Sequence, residues 1–392
     1  MQAARRVAVT GVGVVSPVGI GRDAFWRGLL NPQPEGERCV PDFDPARYYA
    51  NPKEVRRADR VSWFATASAV EALEQAGTPG ASPERSAVIL GSGVGGIGTF
   101  ERDVLVHRDK GPRRVSALMV PMMMPNSAAA ALSMRFGFQG PCESLATACA
   151  TGTHCIGYAA RLIEWGLCDA ALAGGSEAAM TPVATQGFAN MKALSSDGRS
   201  RPFDAARDGF VLSEGAGVLV LEEWESAQAR GARILAEVLG SASLADAHHI
   251  TAPAPGGQGA LRCMRAALED AGLAAGEVAH INAHGTGTAL NDEAEAIAIA
   301  ELFGLPGPPV AALKGVTGHS LGAAGALEAA AVVLCMQQGQ IPPTDGLEQL
   351  DPALPAIDVV TGGPRDWAPG PTLSNSFGFG GHNGTLVLGP AL

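Results

Sequence analysis

Three side chains in this sequence are of types that support nucleophilic catalysis, and each stands in a turn rich in small residues. They are Cys149 in SLATACATGTH, His284 in NAHGTGT and His319 in KGVTGHSLGAAG. A thiol at a helix start feels the positive end of the helix dipole, which lowers its pKa and raises its thiolate fraction. The strand-like approach to Cys149 ends in small residues where a helix begins, so the sequence predicts an activated nucleophile there. The other cysteines, Cys39, Cys142, Cys155, Cys168, Cys263 and Cys335, lack that setting and read as buried structural residues. His284 and His319 follow the strand-like runs 280–283 and 310–313, and positions just past strand ends are where α/β folds place their sites. Singly, each is more often a hydrogen-bonded structural histidine; with Cys149 they make a Cys-His-His set spread over both halves. Lys314 follows VAAL in an apolar stretch and needs an anion, because an unpaired buried ammonium is costly. Asp292 and Glu295, in NDEAEA, are the candidates, unless they merely favour a helix N-terminus.

The elements that must hold these groups alternate between strand and helix. Runs such as 7–10, 87–90, 169–173, 218–221 and 280–283 are β-rich and punctuated by Gly, while 62–75 and 259–271 carry apolar residues at helical spacing. That alternation predicts an α/β fold with largely parallel sheets. Residues 149–166 and 318–339 each start at a small-residue turn and continue as a helix dense in Gly and Ala. Small residues allow close approach, so the sequence predicts two buried central helices, one per half of a duplicated unit. Gly91, Gly93 and Gly96 satisfy a weak GxGxxG pattern, but no second strand with a ribose-binding acid follows, which disfavours a dinucleotide site. The Phe-Gly alternation in NSFGFGGHNG lets the backbone turn sharply and expose its amides, as an oxyanion site or merely as a tight hairpin.

With 392 residues, 46% hydrophobic and 17% charged, the chain can bury a large core. Its net charge of −11 argues against nucleic-acid partners and anionic membranes, although a local basic patch is compatible with it. Residues 1–13 show no apolar leader, and no run of about 18 apolar residues is visible. Seven cysteines without a CxxC pair argue against disulfides or zinc. The expectation is a reduced, cytoplasmic protein.

TACATGTH, AHGTGT, LKGVTGHSLGAAG and NSFGFGGHNG, in that order, resemble the four signatures of the elongating β-ketoacyl-acyl carrier protein synthases, as do VAVTGVGVVSPVG, AGGSEA and RPFDAARDGFVLSEGAG. The resemblance covers nearly the whole chain. It implies a thiolase-like five-layered α-β-α-β-α fold, usually dimeric, with residues 1–240 as the half carrying the nucleophile and 241–392 as the half carrying both histidines and the lysine. It makes Cys149 the acyl acceptor, His284 and His319 the pair that polarises a malonyl thioester, and Lys314 and Glu295 a supporting ion pair. Thr286 and Thr288 would contact the pantetheine arm, and Phe379, with Phe377 in the same loop, would form the gate and contribute an oxyanion amide. Val94, Met119, Met123 and Phe188 would line the acyl tunnel, whose Met content suits longer, bent or unsaturated chains unless those residues fill a dimer interface. Arg56, Arg57, Arg113, Arg114 and Lys192 would dock an acidic carrier protein. No metal or cofactor is implied beyond the phosphopantetheine that the carrier brings.

The stretch between Phe43 and Trp63 and the SSDGRSRPF turn are shorter than in fatty-acid synthases of this type, which leaves fatty-acid and type II polyketide or polyene pathways both open. It also leaves open a homodimer or a heterodimer with a chain-length-factor-like subunit. An inactive partner subunit would lack Cys149, and a degradative thiolase would carry a second cysteine near the C-terminus, where this chain has none after Cys335. A cysteine hydrolase would not explain the second histidine and Lys314.

Overall fold

The computed structural model describes residues 5–31 and 38–391; the first four residues, part of the stretch searched for a leader, lie outside them. Five strands belong to the first half: β1 (Val7–Ser16), β2 (Ser86–Gly91), β3 (Cys142–Glu143), β4 (Ala170–Glu177) and β5 (Gly215–Glu223). Five belong to the second: β6 (Ala236–Ala245), β7 (His280–Asn282), β8 (Val310–Ala311), β9 (Thr372–Gly378) and β10 (His382–Pro390). The order across the sheet is β3-β2-β4-β5-β1-β6-β10-β9-β7-β8. Numbered within each half, both sets read 3-2-4-5-1, joined back to back where Val7–Val9 pair with Ala236–Val238. Directions repeat as well. In each half the first three strands of that order run parallel and the remaining pairings are antiparallel. The sheets are therefore mixed rather than largely parallel, because β9 and β10 form a hairpin and β4, β5 and β1 pair antiparallel. The expected division at 240/241 falls inside β6, whose pairing with β1 already starts at Ala236.

Helices complete five layers. Helix α1 (Arg60–Ala76) covers the first sheet, from which α2 (Ile97–Lys110) follows β2. Helix α3 (Thr151–Glu164) lies between the sheets, and α4 (Pro182–Asn190) follows β4. Helix α5 (Gln258–Ala271) packs on β6 and β10, with α6 (Ala289–Phe303) against it. Helix α7 (Ala324–Gln338) joins α3 in the middle layer. A helix apolar on every side belongs in a core, and α7 is buried from Ala324 to Met336. Segment Leu321–Gln338 is long and apolar enough to cross a membrane, with mean hydropathy 1.3, yet 89% of it is packed inside the protein. This is the second of the two central helices expected from the sequence, and it is buried as expected.

The two central helices touch through glycine. A Cβ at Gly152 would stand 2.6 Å from the backbone nitrogen of Ala326, and one at Gly325 would stand 2.1 Å from Thr153 Oγ1. No side chain fits at either position, so the close crossing is what these glycines permit. Both helices are entered in the same way. A 3₁₀ turn, 148–150 or 321–323, precedes each and opens on a non-glycine residue with positive φ, Ala148 at 50° and Leu321 at 46°. The duplication that composition only suggested is thus repeated in topology and in turn geometry.

Candidate active site

Cys149 occupies the first of those turns and His319 stands two residues before the second, so the meeting of the two halves sets their separation. His319 Nε2 lies 3.1 Å from Cys149 Sγ. The rings of His284 and His319 are 5.5 Å apart and nearly perpendicular, and both are buried. His284 stands against Phe377 at 5.9 Å, His319 against Phe210 at 5.1 Å, and Phe210 against Phe188 at 5.6 Å. A cavity of about 330 Å³ takes in Cys149, both histidines, Thr286, Thr288, Phe377, Phe379 and Lys192. Sγ also faces the backbone amides of Phe379 and of Cys149 itself.

Burial changes the expected protonation of the nucleophile. Desolvation pushes the Cys149 thiol up to about 11, although the Lys314 charge and the Phe379 amide pull it down. The lowered pKa expected from the helix start is not what the surroundings give: burial outweighs the dipole, and Sγ, 3.1 Å from His319 Nε2, is a thiol. Desolvation, with the charge of Lys314 second, likewise holds both imidazoles well below the usual histidine range, so both are neutral bases.

Lys314 is anchored three ways. Its ammonium donates to Glu328 Oε1 at 2.5 Å, to the carbonyl of His284 at 2.6 Å and to His284 Nδ1 at 3.2 Å. The last bond makes Nδ1 of His284 the acceptor and leaves the proton on Nε2. The expected Lys314–Glu295 pair is not formed. Glu295 accepts the amides of His284 and Gly285 and the side-chain amide of Asn375. Asp292, one turn earlier on α6, accepts the amides of Phe203, Thr286 and Gly287. Both acids therefore hold the His284–Gly287 turn, whose amides point at the start of α6, while the partner of the lysine comes from α7. Glu328 is the sole charged residue of α7, a signal the sequence offered. Burial pushes its carboxyl up to about 7 against the pull of Lys314.

Sequence reasoning also passed over Glu177. Fully buried, it accepts Ser92 Oγ at 2.7 Å, Gly93 N at 2.8 Å and Gly322 N at 3.0 Å, tying the loop after β2 to the turn that follows His319. In the glycine loop that satisfied GxGxxG, Gly93 gives its amide to this carboxylate, while those of Gly95 and Gly96 bond Ser92 Oγ and the Met123 carbonyl. Thr286 and Thr288 share a hydroxyl contact of 2.9 Å at the cavity wall. Phe188 joins the apolar cluster around Cys149. Val94, Met119 and Met123 do not line the cavity: Val94 is 41% exposed, Met119 and Met123 are half-buried, and the buried methionine of that segment is Met122. Among the basic residues, Lys192 reaches the cavity; Arg56 and Arg57 follow the short helix Pro52–Val55, Arg113 and Arg114 sit in the turn after α2, and all four are exposed.

Against known proteins, residues 32–227 match the beta-ketoacyl synthase N-terminal domain and residues 235–348 its C-terminal domain. The chain belongs to the beta-ketoacyl synthase family. It is 41% identical to 3-oxoacyl-[acyl-carrier-protein] synthase 2 of Synechocystis over 98% of both chains, and 40% identical to that of Vibrio cholerae over 98% of this chain and 99% of the other. The solved ishigamide ketosynthase/chain length factor superposes with a TM-score of 0.92 at 35% identity, covering 100% of both chains. A type II polyketide ketosynthase, solved with its acyl-carrier protein and bound to the hexaketide, gives 0.90 at 30% identity over 99% of this chain and 100% of the other. The fold is the thiolase-like one expected, and the chain is a ketosynthase, an acyltransferase of the elongating kind.

Proposed function

We propose that this ketosynthase lengthens acyl chains delivered as carrier-protein thioesters, by decarboxylative condensation with a malonyl thioester at Cys149. The observation that carries the reading is the 3.1 Å contact of His319 Nε2 with Cys149 Sγ, in one cavity with a lysine-anchored His284. In the first step the thiol gives its proton to His319 as sulfur attacks the acyl carbonyl, and the departing pantetheine sulfur takes that proton. In the second, the bond from the malonyl α-carbon to its carboxylate breaks and the electron pair moves to the thioester oxygen. The carboxylate leaves as carbon dioxide; His284 Nε2–H stabilises the thioester oxygen, joined by His319 once acylation frees its Nε2 to take the ring proton from Nδ1. The carbanion then attacks the acyl carbonyl on Cys149, whose oxyanion the amides of Cys149 and Phe379 receive. Collapse expels the Cys149 thiolate, which takes a proton from solvent, and releases the 3-oxoacyl thioester. The pantetheine arm would pass Thr286 and Thr288.

Exposed apolar side chains on α2 (Phe100, Val104, Leu105) and on the segment after it (Leu118, Val120, Met124) support pairing with a second ketosynthase-fold chain through that face. The Met-rich segment is then interface in part.

The test offers the enzyme a mixed pool of acyl-carrier proteins and reads the mass added at Cys149. Wild type gains acyl groups and Cys149→Ala gains none, while Cys149→Gln still decarboxylates malonyl-carrier protein. His284→Ala and His319→Ala each lower decarboxylation on the order of 10²-fold, the size of one lost oxyanion donor. Acylation persisting at another thiol in Cys149→Ala, with elongation intact, removes Cys149 from the mechanism.

A further inference from the structure

Gly322 holds in the second half the place that Cys149 holds in the first. Each is the middle residue of the 3₁₀ turn that leads into a central helix, 148–150 before α3 and 321–323 before α7. At Cys149 a thiol side chain leaves the turn. At Gly322 no side chain can, because a Cβ there would stand 2.8 Å from Glu177 Oε2 and 2.5 Å from the backbone nitrogen of Gly93. The strands correspond as well: β4 and β9 occupy the same position in their halves, and where β9 leads into Phe379, β4 ends on Glu177. The Glu177 carboxylate therefore sits in the second half's counterpart of the oxyanion site, with the amides of Gly322, Gly93 and Val94 converging on it.

Burying a carboxylate is costly, and the mechanism above gives this one no task. Glu214, Glu222 and Glu328 are buried beside an arginine or a lysine. Glu177, with no exposed surface, forms no salt bridge among the described residues and is held by neutral donors, the same amides and Ser92 Oγ. What those bonds fix is the far end of the segment that carries His319. At its near end the His319 amide donates to the Val211 carbonyl at 2.7 Å, and the His319 carbonyl accepts the Ser213 amide at 3.0 Å. The chain then passes through Ser320 and Leu321, whose φ of 46° is one that bulky side chains rarely adopt, before Gly322 reaches Glu177. A residue in that conformation persists only where its surroundings fix it. Leu321 belongs to the apolar cluster around Cys149, so slack at Gly322 would shift both Leu321 and the imidazole against the sulfur. His284 is held separately, by Lys314 and through the amides that Glu295 and Asp292 accept.

Resting on the ketosynthase reading above, we propose that Glu177 is a positioning residue for His319. Its carboxylate fixes the Leu321–Ala323 turn and thereby holds Nε2 of His319 at 3.1 Å from Cys149 Sγ.

The experiment measures the rate of Cys149 acylation by hexanoyl-pantetheine against its concentration, per folded molecule. Glu177→Ala lowers the maximal rate on the order of 10²-fold, the cost of displacing a reacting group by about 1 Å, and leaves the half-saturating concentration within about twofold. Glu177→Gln recovers most of that rate, because its carbonyl oxygen can replace Oε2 and its amide can donate to Ser92 Oγ. In the His319→Ala background the Glu177→Ala change costs less than about twofold, since residues that act through one group are not additive. Ser92→Ala removes one donor without touching the backbone and lowers the maximal rate about fivefold, the scale of one hydrogen bond, so the matter is decided even if Glu177→Ala does not fold. A folded Glu177→Ala or Ser92→Ala with the wild-type maximal rate, or a loss that persists undiminished in His319→Ala, overturns the inference and leaves the ketosynthase reading intact. Wild type that neither hexanoyl- nor dodecanoyl-pantetheine acylates overturns that reading instead.

Discussion

Cys149 stands where a helix dipole favours a thiolate, yet Ala179, Phe210, Leu212 and Leu321 exclude the water a thiolate needs, and the exclusion wins. On the proposed mechanism the thiol is activated by proton transfer to His319, 3.1 Å away. Alkylation of Cys149 by iodoacetamide should climb with pH toward a midpoint near 11, well above that of an ordinary thiol. Mass-resolved labelling across pH tests this, and a midpoint below about 8 would mean that the dipole dominates after all. Cys149, His284 and His319 were legible in the sequence because residue type and small-residue turn coincide at each. Glu328 was missed for the complementary reason. Sequence proximity to His284 favoured Glu295, whereas the pairing is decided by α7 crossing behind the site, 14 residues beyond Lys314 in the chain.

At the scale of elements, the Lys314–Glu328 pair ties the short helix Lys314–Thr317 to α7, and through Nδ1 of His284 it reaches the turn after β7. Both partners are almost fully buried, so removing one strands the other's charge. Glu328→Ala should lower unfolding free energy by about 3–5 kcal/mol, while the double change Lys314→Met with Glu328→Leu should recover much of it, since well-packed apolar residues can replace a buried pair. Decarboxylation should stay low in the double variant, because nothing then fixes the proton of His284 on Nε2. Urea unfolding and malonyl decarboxylation, measured side by side, separate the two roles; a double variant with full activity would deny Lys314 its part in orienting His284. Helix positions and the two central helices were readable from apolar spacing and from Gly and Ala. The antiparallel pairings were not, because β4, β5 and β1 are buried on both faces and carry no alternation to distinguish them from parallel strands.

For the molecule as a whole, buried imidazoles set the response to acid. His280 packs edge-on to Trp367 at 5.5 Å, and neither of its ring nitrogens has a hydrogen-bond partner among the described residues. Desolvation pushes it down to about 3 from 6.5. Above 6.5 the ring is neutral folded and unfolded, so pH has no effect through it. As pH falls from 6.5 toward 3 the unfolded chain takes up a proton that the folded one refuses, and stability drops by about 1.4 kcal/mol per unit. Moving from about pH 7 to about pH 5, His280→Phe should lose roughly 2 kcal/mol less stability than wild type in urea unfolding; equal losses would show that the ring is protonated in place. Charge distribution raises the other global question, because on the proposed function a chain of net charge −11 would have to attract an acidic carrier locally. Lys192 at the cavity and the exposed pairs Arg56–Arg57 and Arg113–Arg114 are the residues we expect to do so. Rim charges act on encounter rate and are screened by salt. Reversing either arginine pair should therefore raise KM for acyl-carrier protein and flatten its salt dependence, with turnover of a short pantetheine thioester little changed. If both double variants keep wild-type KM at low ionic strength, the carrier approaches by another face, and the chemistry assigned to Cys149, His284 and His319 stands without it.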